Sequence, residues 1–163
     1  MILHFENARL IDPEAGTDAL GTLTVKDGLI VARNGAAPKQ AEVIDAGGKC
    51  LAPGMVDWGV KIGEPGERHK ESFRSAGLAA AAGGVTTIIA RPDTTPAIDT
   101  PETLEFVTRR AGEAPVHIRH MAALTKGRMG REMTEIGFLL DAGAIAFSDV
   151  FHVAENTKSL SRA

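Results

Sequence analysis

A strand-and-helix unit repeats through the second part of the chain, and its period restricts the fold more than any other feature. Apolar strand candidates begin near Met55, Val85, Val116 and Ala144, which lie 30, 31 and 28 residues apart. A helical pattern occupies each interval between them. Strand-helix-strand units of this length join parallel strands through right-handed crossovers. The sequence therefore predicts a parallel sheet of four strands with helices between them.

The helices are predicted from apolar residues at spacings of three and four positions. Three stripes follow this spacing: Phe73, Ala76, Gly77 and Ala80; Leu104, Val107 and Ala111; and Met133, Ile136 and Leu140. Thr100 and Pro101 mark the start of the second helix, because a hydroxyl caps the first free N–H groups and proline suits the first helical position. A fourth helix is expected to begin within 155–162.

Residues 1–52 follow a different pattern, which is typical of short strands joined by tight turns. Two β-rich runs flank Asp27-Gly28, and this dipeptide between such runs is a strong hairpin signal. A further strand is predicted over Glu42–Asp45. We therefore predict a small all-β module at residues 1–52 and an α/β part at residues 53–163.

Composition excludes several classes of protein. The chain has 163 residues and a formal net charge of −3, so it carries no basic excess for binding nucleic acid. Apolar stretches such as 76–90 are too short to span a bilayer, and no basic segment precedes an apolar run at the start, as a secretory signal requires. The single cysteine, Cys50, excludes an intramolecular disulfide and suits a reducing cytoplasm. We expect Cys50 to be buried as a small apolar residue, and we expect a cytoplasmic protein without nucleic-acid or membrane partners.

Length alone favours an open sheet, because a complete (β/α)8 barrel needs about 250 residues. The motifs favour part of a barrel instead. Residues 51–66, L-A-P-G-M-V-D-W-G-V-K-I-G-E-P-G, resemble the first barrel strand of the dihydroorotase branch of the amidohydrolase superfamily. That family has A-P-G, two apolar residues and then D-x-H-x-H-x-R-E-P-G. Further matches follow in the same order over the whole chain, at 80–88, 91–96, 124–127 and 144–149.

The resemblance implies a metal-dependent (β/α)8 barrel and a β-sandwich built from both ends of the chain. This sequence then corresponds to the first part of the sandwich and to barrel strands one to four. The predicted fold class is α/β, a partial (β/α)8 amidohydrolase barrel preceded by a small all-β module. Unpaired strand edges promote association, so the edge after strand four predicts a homo-oligomer.

The resemblance also implies a zinc site, and three of its positions are altered here. The family's two metal-binding histidines on strand one correspond to Gly59 and Lys61, and the arginine that grips a substrate carboxylate corresponds to Gly63. Glycine has no ligand atom, and an ammonium group repels a metal ion. Glu64-Pro65-Gly66 matches the family directly after these changes, so the alignment is secure. We therefore predict no cofactor, with zinc as the metal if the family site were functional.

One ligand position is retained. Asp149, at the end of strand four, matches a carboxylate that binds metal in the family, although a carboxylate at a strand end can also serve the fold alone. Asp93 replaces the family's substrate-binding asparagine and removes a donor, while Arg91 replaces a methionine. We interpret Asp57 as structural. We expect Lys61 to point into the former metal pocket, toward Asp149 with Asp57 as a second carboxylate.

The remaining histidines give little support for a rebuilt metal site. His117 and His120 are three apart on a strand and so face opposite sides. His120 with Asp149 is the one alternative pair, because both lie near neighbouring strand ends. We expect His69 and His152 on the surface, and Lys126 is either a solvated loop residue or a remnant of ligand contact.

Two functions from different classes follow. The first is a catalytically inactive dihydroorotase homologue that acts as a structural partner of aspartate carbamoyltransferase in pyrimidine biosynthesis, which the resemblance offers as a known fate of members without metal ligands. The alternative is an active zinc-dependent dihydroorotase or cyclic amide hydrolase in the full-length form. A scaffolding role unrelated to pyrimidines is a third reading with no separate support in the residues.

Overall fold

The structure is a computed structural model, and it describes residues 1–155 and Ser161. The chain divides into two compact units, Met1–Pro53 and Gly54–Ala163. Each unit contains one β-sheet. The fourth helix predicted within 155–162 lies almost entirely outside the described residues. None of the helices in the described part of the chain has the length and apolar character that a membrane crossing needs.

The first unit is a five-stranded sheet without helices. Its strands are β1 (Ile2–Asp12), β2 (Thr17–Lys26), β3 (Leu29–Arg33), β4 (Glu42–Asp45) and β5 (Cys50–Leu51). The order is β3-β2-β1-β4, with β5 also paired to β1. Asp27 and Gly28 both have positive φ, at 49° and 83°, as a two-residue hairpin turn between β2 and β3 requires. The predicted hairpin and the predicted strand at β4 are both confirmed.

Cys50 departs from its expected environment. Its side chain is exposed, whereas the sequence predicted a buried residue. The reason is local, because β5 is only two residues long and pairs with β1 at Arg9 and Leu10. So short an edge strand covers little surface, and the prediction of burial is wrong.

The second unit alternates strands and helices. In chain order it contains β6 (Met55–Val60), α1 (Phe73–Ala82), β7 (Val85–Ala90), α2 (Pro101–Ala111), β8 (His117–Ala122), a short 3₁₀ turn (Lys126–Arg128), α3 (Ile136–Asp141) and β9 (Ala146–Phe147). Neighbouring strands pair in parallel in the order β6-β7-β8-β9. The predicted fold class is confirmed: the chain has a small β module and a curled, parallel half-barrel sheet.

Helix boundaries follow the residues that favour them. The Thr100 hydroxyl accepts from the backbone N–H of Thr103, and Pro101 is the first residue of α2, as predicted. Helix α1 begins after Ser72, which forms a reciprocal capping pair with Ser75. Its end is followed by Gly84 at a φ of 79°, where the chain turns into β7.

The third helix is shorter than predicted. The apolar stripe indicated a helix from Met133, but α3 begins at Ile136. Met133 instead forms an isolated bridge with Thr125, and the buried Thr134 hydroxyl donates to the Ala123 carbonyl at 2.9 Å. These contacts hold residues 133–134 extended against the loop after β8, so tertiary pairing overrides the helical pattern.

The core of the second unit lies between the sheet and its helices. Buried apolar side chains from every layer meet there: Ile62, Phe73, Ala76, Ile88, Ala90, Ile98, Leu104, Val107, Ala111, Ile118, Ala122, Leu139 and Ala144. The predicted helix stripes supply Phe73, Leu104 and Val107 to it. The opposite ends of the sheet are open, since no strand of the described residues pairs with the outer edge of β6 or of β9. Trp58 on β6 is 62% exposed.

The open edges lead to an expectation about association. Because unpaired strand edges template pairing with other chains, the 163-residue chain is expected to elute as a dimer or larger species. Multi-angle light scattering measures this directly. Val56→Lys, which places a charge on an exposed residue of β6, should shift the population toward monomer. Leu78→Lys, on an exposed position of α1, is the control, and a monodisperse wild-type monomer would contradict the expectation.

Candidate functional site

The candidate site lies at the carboxyl edge of the parallel sheet in the second unit. Parallel strands place their ligand-binding groups at this edge, in the loops that follow each strand. Here Lys61 follows β6, Arg91 and Asp93 follow β7, Thr125 follows β8, and Asp149 follows β9. The sequence-predicted site residues therefore belong to one edge, although their contacts divide them into two groups.

Lys61 belongs to the first group. Its Nζ lies 3.3 Å from Glu67 Oε2 and 3.9 Å from Asp93 Oδ2, and its side chain is 49% exposed. Hydrogen bonds from Lys70 and then from Lys61 hold the pKa of Glu67 below its usual range. Among the described residues no ion pair joins Lys61 to Asp149. The expectation that Lys61 would face Asp149 is wrong, because two nearer carboxylates bind its ammonium.

Arg91 is held at this edge by hydrogen bonds to Asp93 and by a ring contact. Its Nε and one terminal nitrogen donate to the two oxygens of Asp93 at 3.1 and 2.6 Å. The guanidinium carbon lies 4.9 Å from the centre of the Phe151 ring, within range of a cation–π contact. Asp93, whose side chain is only 7% exposed, thus joins Arg91 and Lys61. Both of its oxygens accept from Arg91, and its charge is shared with Lys61.

Asp149 belongs to the second group, with neutral partners. It is buried, and its two oxygens accept from the backbone N–H of Thr125 at 3.0 Å and from the Thr125 hydroxyl at 2.6 Å. The N–H of Gly130 donates in turn to the Thr125 oxygen at 2.8 Å, so the hydroxyl proton is directed at Asp149. Asp149 therefore fastens the loop after β8 to the end of β9.

Val150, directly after Asp149, is strained. It has a φ of 59°, in the left-handed region that β-branched residues avoid. We expect Val150→Asn to raise the free energy of unfolding by about 1 kcal/mol, because asparagine tolerates this region. Urea unfolding checks the change. Val153→Asn, at an exposed position of the same segment without positive φ, should alter stability by less than about 0.5 kcal/mol, and a destabilised Val150→Asn would contradict the assignment of strain.

The two altered glycine positions have distinct backbone settings. Gly59 has a φ of 85°, and a Cβ built on it would lie 4.0 Å from Cδ of Arg91. The pairing of β6 with β7 is irregular at this point, between Trp58 and Val60. Gly63 is buried, and a Cβ there would lie 2.5 Å from the backbone oxygen of Glu67. Neither position accepts a larger side chain without movement of the backbone.

The other sequence candidates lie apart from this edge or on the surface. Asp57 is exposed on β6, and it lines a cavity of about 290 Å³ with residues of α1 such as Ala76 and Ala80. His69 and His152 are exposed, as predicted. Lys126 forms an ion pair with Glu132 within its own loop, which favours the solvated-loop interpretation.

His117 and His120 differ as the strand alternation predicts. His117 is exposed, whereas His120 is 2% exposed and lies edge-on to Phe73 with ring centres 5.6 Å apart. Neither ring nitrogen of His120 has a hydrogen-bond partner among the residues that the structure describes. Burial lowers the pKa of His120 to about 4. Since Phe73 belongs to α1, His120 faces the helix layer, and Asp149 is bound by Thr125 instead.

The residues present do not fit a zinc ion. Zinc sites use three or more histidine, cysteine or carboxylate ligands, and the described part of the chain holds no such group of three. Gly59 offers no ligand atom, both oxygens of Asp149 are bound by Thr125, and two cations hold Asp93. No chemical step through a metal is supported by this edge.

Sequence reasoning missed two residues of this region. Glu64 is buried, and it accepts from the N–H of Phe73 at 3.2 Å and from Nε of Arg110 at 3.0 Å. The sequence contained a signal for this role, because Glu64 lies inside the retained Glu64-Pro65-Gly66 motif. Phe151 had no such signal, because its contact with Arg91 depends on how the chain turns after β9.

Comparison with known proteins identifies the family. Residues 48–160 match the family described as dihydro-orotase-like. The chain is 38% identical over 163 residues to a dihydroorotase of Streptococcus pneumoniae serotype 4, with 99% of this chain and 39% of that protein covered. It is 41% identical over 150 residues to a dihydroorotase of Streptococcus thermophilus, with 91% and 35% covered.

Solved structures agree with these relatives. The L-hydantoinase (dihydropyrimidinase) from Arthrobacter aurescens matches 97% of this chain and 36% of its own, with a TM-score of 0.79 and 28% identity. The chain thus spans less than two-fifths of the length of these relatives. Sequence motifs, half-barrel topology and relatives converge, and the chain belongs to the dihydro-orotase-like family.

Proposed function

We propose that the protein containing this chain is a catalytically inactive member of the dihydroorotase family, and that it acts in pyrimidine biosynthesis as a structural partner of aspartate carbamoyltransferase. The observation that carries the proposal is the set of ion pairs in which Lys61 and Arg91 hold Asp93 at the carboxyl edge. One of these cations, Lys61, occupies a position where the family resemblance implies a metal-binding histidine.

Electrostatics supports the loss of the metal. Two unit charges 4 Å apart near a protein surface repel by about 4 kcal/mol, and a divalent ion doubles the charge on one side. The connected ion pairs at this edge contain three cations, Lys61, Lys70 and Arg91. They contain two carboxylates, Glu67 and Asp93, so the set has a net charge of +1. An edge with this net positive charge disfavours the binding of a metal ion. Its described residues also lack a group of three ligands that would offset the repulsion.

The partner role rests on the family resemblance and on the surface of the second unit. The described residues of the carboxyl edge support no catalytic chemistry. The fold is therefore retained for the partner that its surfaces bind. Large apolar side chains are exposed on the helices: Leu78 on α1, Phe106 on α2, and Phe138 and Leu140 on α3. Exposed apolar groups of this kind are typical of protein interfaces. We place the protein in the cytoplasm, because Cys50, the single cysteine of this chain, suits a reducing compartment.

A second candidate function is hydrolysis of a cyclic amide by the longer protein. The names of the relatives favour it, since the matches include dihydroorotases and an L-hydantoinase. In that case ligands outside the described residues would have to build the site, since Gly59 and Lys61 contribute none.

Three measurements on the full-length gene product separate these functions. Metal analysis should find less than one tenth of an equivalent of zinc, on the order expected for adventitious metal. Dihydroorotate hydrolysis should be at background, with the Streptococcus pneumoniae dihydroorotase as the positive control. The protein should co-purify with the aspartate carbamoyltransferase of its own organism and change the rate or stability of that enzyme. Stoichiometric zinc together with hydrolysis, and no association, would establish the alternative.

A further inference from the structure

We infer that the backbone around the altered ligand positions is shaped for the residues now present, with Arg91 as the resident cation, so that restoring the family's side chains does not restore a metal site. This inference rests on the proposed loss of metal and extends it. It concerns three positions, 59, 61 and 63, and each has a separate physical reason.

Position 59 is restricted by its own backbone. A φ of 85° is readily adopted by glycine and rarely by any residue with a Cβ. The irregular pairing with β7 at this point forms part of the same local geometry. A histidine at this position would be strained at this φ, and relief of the strain would disturb the local pairing of β6 with β7. Its Cβ would also lie against the side chain of Arg91, whose Cδ is 4.0 Å away.

Position 63 is restricted by a neighbouring loop. The N–H of Glu67 donates to the carbonyl of Gly63 at 2.6 Å, which folds residues 63–67 into a tight turn. A Cβ at Gly63 would lie 2.5 Å from the backbone oxygen of Glu67 and 3.0 Å from that of Glu71. Both obstacles are backbone atoms, so no side-chain rotation relieves them. An arginine here would require the turn to open.

Position 61 is restricted by charge alone. Lys61 is half-exposed and has no unusual backbone angle, so histidine fits sterically. Arg91 would nevertheless remain, fixed by two hydrogen bonds to Asp93 and by its contact with the Phe151 ring. A metal ion bound at position 61 would meet this guanidinium and a carboxylate already neutralised by it.

The test compares four variants of the full-length gene product with wild type. Gly59→His/Lys61→His/Gly63→Arg restores the family's residues. Lys61→His changes only the position without a steric restriction, and Gly63→Ala adds one methyl group against the Glu67 carbonyl. Gly137→Ala is the matched control, because a Cβ at this helical glycine meets no atom within 4 Å. Thermal unfolding gives the midpoint for each, and zinc content with the visible absorption of added Co²⁺ measures metal binding.

The expected pattern is specific. Gly63→Ala should lower the unfolding midpoint by roughly 4 °C or more, Gly137→Ala should leave it equal or higher, and the triple variant should lose more than Gly63→Ala or fail to fold. Lys61→His should fold like wild type and bind neither metal stoichiometrically. A triple variant with the wild-type midpoint, an unchanged Gly63→Ala, or one bound equivalent of metal in either histidine variant would overturn the inference.

The outcomes also separate this inference from the proposed function. Stoichiometric zinc in the wild-type protein would defeat the proposed function. Metal in a histidine variant with none in wild type would defeat only the inference, because it would mean that the edge still accepts a metal once a ligand is supplied.

Discussion

Glu64→Ala is expected to lower the free energy of unfolding by about 3 kcal/mol, because it removes a buried carboxylate that accepts hydrogen bonds from two helices. The side chain is 6% exposed. One oxygen accepts from the first N–H of α1, at Phe73, and the other accepts from Arg110 near the end of α2. Alanine leaves the buried N–H without an acceptor and the guanidinium without its buried partner. Urea unfolding measures the loss.

A matched control uses the same arginine. Glu113 also pairs with Arg110, but its side chain is 54% exposed. Since exposed ion pairs contribute little, Glu113→Ala should lower stability by less than about 1 kcal/mol. Equal effects of the two substitutions would mean that Glu64 acts as an ordinary surface charge, and the explanation from burial would then be wrong.

His120 is expected to make stability depend on pH between about 6.5 and 4. Burial lowers its pKa to about 4 in the folded protein, whereas the ordinary histidine pKa of 6.5 applies to the unfolded chain. The unfolded state therefore binds a proton first as pH falls, and stability decreases from about pH 6.5 until the folded pKa is reached. The loss from this group is about 2 kcal/mol at pH 5 and about 3 kcal/mol at pH 4.

The variant that isolates this effect is His120→Leu. Leucine has a similar volume and removes both unpartnered nitrogens, so stability at pH 7.5 should be equal or higher. Relative to the wild type, the variant should gain about 2 kcal/mol between pH 7.5 and pH 5. His117→Leu, on the exposed face of the same strand, should follow the wild-type profile. Parallel profiles for the wild type and His120→Leu would refute the assignment.

The sequence predicted the fold well where its signals are local or periodic. The hairpin at Asp27-Gly28 and the start of α2 at Thr100 depend on residues next to one another, and both are confirmed. The predicted start of α3 at Met133 was wrong because the loop after β8 holds Met133 and Thr134 extended. These contacts join residues that are not neighbours in the sequence. The prediction that Cys50 is buried was wrong because burial depends on how much of the two-residue strand β5 its neighbours cover.

The candidate site was predictable in its location but less so in its partners. Period and motif placed Lys61, Asp93 and Asp149 at one sheet edge, and the structure has them there. The sequence could not say that Glu67 and Asp93 would bind Lys61 while Thr125 bound Asp149. Each of those pairs depends on the path of a loop. Electrostatic attraction alone does not predict which of the available carboxylates pairs with Lys61.

Trp58 gives the chain an optical reporter of its own assembly. It is the single tryptophan, and it lies exposed on β6 at an open edge of the half-barrel. Its emission therefore comes from one known point on the sheet. A shift of that emission to shorter wavelength, with lower access to iodide, would accompany any event that covers this edge, whether a second copy, the remainder of a longer chain or a partner enzyme. Completion of the sheet can thus be followed by fluorescence in solution without attaching a label.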